Sequence, residues 1–134
     1  MRRDILAYLA ALAAFVAMDM VWLGATTRLL YQPVLGDILA ADVDLAPAIV
    51  FYLMFPAGLV IFAVRPALAS GRLATALTYG ALFGFFSYAT YDLTNQATLR
   101  EWALQLTLAD IAWGSLLSAS ASAAGYGIAR RFGG

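Results

Sequence analysis

The sequence predicts an all-α membrane protein, with four transmembrane helices in a single domain over residues 1–134. Three observations carry that expectation. Hydrophobic residues make up 63% of the chain and charged residues only 12%, whereas a soluble domain is about half apolar and a quarter charged. Mean hydropathy is high, at +0.82. The apolar residues also gather into four runs joined by short connections. Each run is long enough for a helix to cross about 30 Å of hydrocarbon at about 1.5 Å per residue.

The first run, from Ile5 to Thr27, is interrupted only by Asp19 and by small polar residues at its end. Its basic start resembles a signal peptide, but Asp19 and Trp22 follow at once and no cleavage site stands out, so an inside-positive anchor is expected instead. The second run, from Leu45 to Val64, has no charge. Pro47 suits its first turn, Pro56 should kink it, and Arg65-Pro66 should end it. The third run, from Leu73 to Tyr91, is also uncharged, and the fourth, from Trp102 to Ala129, carries only Asp110. Between the first two runs, Leu30, Tyr31, Val34, Leu35 and Ile38 recur at helical spacing. They predict a short interfacial helix in the first outer loop, started by Pro33.

Arginine sets the expected orientation. Arg2, Arg3, Arg65, Arg72, Arg130 and Arg131 fall on one side of a four-helix path, and Arg28 and Arg100 on the other. The positive-inside rule then puts both termini in the cytoplasm. On that path Asp19, Asp92 and Asp110, from three helices, share one layer near the outer face, with Asp92 at the outer end of its helix. A carboxylate at membrane depth costs several kcal/mol unless paired, wetted or protonated, so each is a functional candidate.

Helix faces support one shared layer. Gly80, Gly84, Tyr88 and Asp92 stand four apart on the third helix, as do Asp110, Gly114, Ser118 and Ser122 on the fourth. Such small-residue stripes let helices approach closely, and packing alone explains most of them. Asp19-x-x-Trp22 and Asp110-x-x-Trp113 echo each other in helices of opposite direction, as in an inverted repeat. Interfacial anchoring is the plainer role for either Trp. The densest polar segment runs from Tyr88 through Tyr91, Asp92, Asn95 and Gln96 to Arg100. Asp92, Asn95 and Gln96 meet on one face if the helix continues. The alternative is a polar helix end capped by its own side chains.

Asp19-x-x-Trp22-Leu-Gly24, the segment Tyr91-Asp92-Leu-Thr-Asn95-Gln-Ala-Thr-Leu99, Trp102 and Thr107-x-x-Asp110-x-x-Trp113-Gly114 together resemble the "domain of unknown function 2177" family of small bacterial inner-membrane proteins. The resemblance covers essentially the whole chain. It implies a four-helix membrane fold and a bacterial inner-membrane location, and it assigns no activity and no catalytic residue.

Composition narrows the chemistry. The chain has no Cys and no His, which excludes disulfides, thiolate chemistry, imidazole bases and His-ligated zinc. Its net charge of zero argues against nucleic acid as a partner. The candidate binding residues are Asp19, Trp22, Arg28, Tyr88, Tyr91, Asp92, Asn95, Gln96, Arg100, Asp110 and Trp113. No cofactor is identified, although Asp19, Asp92 and Asp110 could hold a divalent cation through oxygen. Three readings stay open. The acids could bind or transport a proton, a cation or a small amphiphile, with transport calling for a homodimer. Paired carboxylates could serve an enzyme acting on lipid, with Arg28 or Arg100 holding a phosphate. Or the acids could pair with Arg28, Arg100 and amides and simply pin the bundle.

Overall fold

A computed structural model describes residues 1–134. It contains helices and no strand. Four long helices form the molecule: α1 (Arg2–Leu35), α2 (Leu45–Ser70), α3 (Leu73–Thr98) and α4 (Leu104–Phe132). The first two are long and apolar enough to cross a membrane. The other two, of 26 and 29 residues, bury Gly80, Gly84 and Asp92 on α3 and Thr107, Asp110, Gly114, Ser118 and Ser122 on α4. The burial pattern is that of a chain whose outside is not water. Ile5, Leu9, Val21, Ile49, Val50, Met54, Phe62, Phe86, Leu108 and Leu116 are exposed, while Asp19, Asp92, Thr107, Asp110, Ser118 and Ser122 are buried.

Two prolines that should end or open a helix do neither. α1 continues past Thr27 through a π-helical stretch, Thr27–Tyr31, and returns to α-helix with Pro33 as its second residue. α2 does the same through Val60–Val64, with Pro66 second in the α-helix that resumes. A proline ring collides with the carbonyl four residues back and offers no N–H to it. One wider turn just upstream moves that carbonyl aside and lets the helix go on. In α1 the hydroxyls of Thr26 and Thr27 also occupy the carbonyls of Trp22 and Leu23, at 2.6 and 2.5 Å. Two expectations are corrected here. No separate helix occupies the first connection, because Gln32–Leu35 is the end of α1. Arg65-Pro66 does not end α2, which runs on to Ser70 and stops at Gly71, in the left-handed conformation with φ 68°.

α1 and α3 each run antiparallel to α4, the central helix. At one end the approach is close. Ala7, Val60, Val64, Ala67, Ala76, Tyr126 and Ala129 form a core of mostly small side chains, and a Cβ on Gly125 would sit 2.9 Å from the Ala7 carbonyl oxygen. The arginine-rich ends meet here. Arg65 lies 3.4 Å from Asp4, and Arg130 donates to the Gly71 carbonyl and the Tyr126 hydroxyl.

α3 and α4 mesh step by step. A Cβ on Gly80 would fall 2.8 Å from the Ser118 carbonyl oxygen and against the Ser122 side chain. One on Gly84 would run into the Gly114 carbonyl and Ser118, and one on Gly114 into the Tyr88 ring. The pairing 80/122, 84/118, 88/114 continues to 92/110, so the stripe ends with two aspartates face to face. α2 departs from this order. It packs against α3 chiefly through Val60–Val64, and its Leu45–Leu59 half splays away.

Candidate functional site

The splay of α2 opens a cleft at the end of the bundle away from the paired arginines. Its cavity has a volume of about 650 Å³ and draws residues from all four helices. α1 supplies Asp19 and Leu23. α2 supplies Phe51, Tyr52, Met54, Phe55 and Gly58. α3 supplies Phe83, Ser87, Tyr88 and Tyr91, and α4 supplies Asp110. The cavity is therefore an aromatic and aliphatic chamber with two carboxylates in its wall. Phe55 stands between the helices, its ring 5.2 Å from Phe83 and 5.0 Å from Phe15.

The two Asp-x-x-Trp motifs cross. Trp113 donates its indole N–H to Asp19 Oδ1 at 3.1 Å. Trp22 donates to the Tyr31 hydroxyl at 3.0 Å, and that hydroxyl donates to Asp110 Oδ1 at 2.6 Å. Each tryptophan thus serves the aspartate of the other motif, one directly and one through a phenol. Their rings stack between the two bonds, 4.6 Å apart and 5° from parallel. Tyr52 closes the set by donating to the second oxygen of Asp19.

Asp92 is different. α3 continues to Thr98, so Asp92 lies inside the helix and not at its end. It is 0% exposed, and neither carboxylate oxygen has a donor. The α3/α4 register sets its carboxyl opposite that of Asp110. Asn95 and Gln96 follow on the same continuous helix and are half-buried, and the Gln96 side-chain oxygen has no partner. Tyr91 lines the cavity and meets the edge of Trp102, whose N–H is held by Thr107 at 2.8 Å.

Arg28 and Arg100 take no part in this arrangement. Both are exposed and neither forms an ion pair with an acid. The expected Asp–Arg pairing is replaced by phenol and indole donors, which satisfy a carboxylate without placing a second charge in an apolar wall. The three aspartates do not form a metal-holding cluster. Residue types and motif spacing pointed past Tyr31 and Tyr52, the two phenols that hold the acids. Tyr52 had one legible sign: from Leu45 to Val64 it is the sole side chain able to donate a hydrogen bond.

Residues 4–127 match the family described as "Predicted membrane protein (DUF2177)". The chain belongs to this family. No curated protein matches it, and no solved structure does. The DUF2177 match spans all four helices, from the first turn of α1 into the last turns of α4. It includes both Asp-x-x-Trp motifs and the Asp92 segment. The membrane character that the DUF2177 description states agrees with the apolar α1 and α2.

Proposed function

We propose that this protein binds a small amphiphile with a cationic head group, taken sideways from the membrane into the cleft between α2 and α3. One observation carries the reading: an apolar, aromatic cavity of about 650 Å³ whose wall holds Asp19 and Asp110. Drug-sized ligands occupy such chambers, apolar over most of their lining and with a few polar groups to orient them. The acids supply the counter-charge. Tyr52, Tyr88 and Tyr91 supply π-faces, which favour a quaternary ammonium head. Phe51, Phe55 and Phe83 suit its apolar body.

The membrane arrangement belongs to the same proposal. All four helices cross the bacterial inner membrane, both termini are cytoplasmic, and the cleft lies toward the outer leaflet. The gathering of Arg2, Arg3, Arg65, Arg72, Arg130 and Arg131 at one end supports that orientation. The lengths of α3 and α4, 26 and 29 residues, support crossing by both. A second reading, an enzyme that modifies an amphiphile, draws on the same sideways opening together with the carboxyl pair at its wall.

The test is binding to protein in lipid nanodiscs, with decyltrimethylammonium set against decyl sulfate. Binding of the cation alone, weakened more than about tenfold by Asp19→Asn or Asp110→Asn, supports the reading. Equal binding of the sulfate, or variants that bind as well as the parent, rejects it. Covalent change in the bound amphiphile, read by mass spectrometry, favours the enzyme.

A further inference from the structure

The α3/α4 interface puts Asp92 against Asp110, with Asp92 sealed behind the cavity wall and Asp110 in it. The two differ in what they can reach. Asp110 accepts from Tyr31 and faces the cavity. Asp92 is wholly buried and has no donor from any side chain or backbone group. Charged and titratable groups face the pair from every helix around it: Asp19 and Tyr31 from α1, Tyr52 from α2, Tyr88 and Tyr91 from α3 itself. None is a cation, since Arg28 and Arg100 are exposed and unpaired with acids. Two adjacent carboxylates with a third nearby and no positive charge cannot all be ionised in an apolar setting. A buried oxygen that lacks a donor is satisfied most simply by a proton lying between the two acids.

We infer that Asp92 and Asp110 hold one exchangeable proton between them, and that a cation entering the cavity displaces it. The inference rests on the cation-binding reading above and adds its regulation. In the displacement, the shared O–H of the pair breaks and its proton passes to water at the cavity mouth. The pair passes from one negative charge to two as one positive charge arrives, so the net charge of the site is unchanged. No electron transfer and no other reactant is involved. Asp110 is the exchange point because it alone of the pair faces the cavity. Asp92 acts as a positioning residue, since its carboxyl keeps the proton in place while the cavity is empty.

Two measurements on the full-length protein in nanodiscs test this. Isotope-edited infrared spectroscopy without ligand should show the C=O stretch of a protonated carboxylic acid at neutral pH, absent in Asp92→Asn. Titration with decyltrimethylammonium in weak buffer should then release about one proton per cation bound, with affinity rising about tenfold per pH unit while the pair is protonated. No protonated band in the parent, or a band that survives in Asp92→Asn, overturns the shared proton. Cation binding without proton release overturns the displacement and leaves the binding reading standing. No cation binding, with the band intact, overturns the binding reading and the displacement together. If Asp92→Asn does not fold, the proton count and pH slope of the parent still decide the displacement.

Discussion

Trp113 donates its indole N–H to the carboxylate of Asp19, 94 residues away in sequence, at 3.1 Å. That bond ties α4 to α1 at the level of the cavity, and its counterpart runs from Trp22 to Asp110 through Tyr31. The two are not equivalent energetically. Trp113→Phe removes a donor from an acid and should cost about 1.5–3 kcal/mol. Trp22→Phe removes a bond to a neutral phenol and should cost about 0.5–1.5 kcal/mol. Reversible unfolding in mixed micelles compares them, and a larger loss for Trp22→Phe contradicts the crossed arrangement.

Gly84→Ala and Gly114→Ala should each wedge α3 from α4. The added methyl meets backbone and the Ser118 side chain in the first case and a fixed tyrosine ring in the second. A loss of about 1–3 kcal/mol is expected. Gly127→Ala meets nothing within 4 Å and should stabilise α4 by up to about 1 kcal/mol. Thermal unfolding of the three variants checks the signs.

Ser87 lines the cavity. Ser87→Trp should fill the chamber and abolish binding of decyltrimethylammonium, with a stability change under about 1 kcal/mol. Retained binding would place the ligand elsewhere.

Arg28→Ala and Arg100→Ala should leave stability within about 0.5 kcal/mol of the parent, as for other exposed positions. The Asp4–Arg65 pair is exposed on both sides, so Arg65→Ala should cost no more than about 1 kcal/mol. A large loss from either Arg28→Ala or Arg100→Ala would revive the idea that arginines pin the acids.

The chain has no cysteine, so any introduced cysteine is its sole thiol reporter. In whole cells, a membrane-impermeant maleimide should label Ala41→Cys and Thr98→Cys. Ser70→Cys should react only after the membrane is opened. The reverse pattern overturns the orientation.

Much of the bundle was legible in the residues. Four apolar runs announced four long helices, because burial or lipid contact all round a helix demands an unbroken apolar segment. The four-residue stripes on α3 and α4 announced their contact, since Gly80, Gly84 and Gly114 leave room for nothing else. Helix ends were less legible. Pro33 and Pro66 carry strong stop signals locally, and the π-helical turns before them depend on how the whole helix is packed.

Residue order alone specifies which acids lie among apolar residues, which small residues let α3 meet α4, and which tryptophans accompany Asp19 and Asp110. These follow from spacing along one helix. What each acid touches is set by how the helices pack. Tyr31 reaches Asp110 because a π-helical turn carries α1 onward. Tyr52 reaches Asp19 because α2 leans on α1, and the cavity exists because the same half of α2 leans away from α3. Asp92 is buried without a donor where the α3/α4 register sets it opposite Asp110. Partners across helices depend on rotation, register and splay between separate rods, and hydropathy along one rod does not encode those angles.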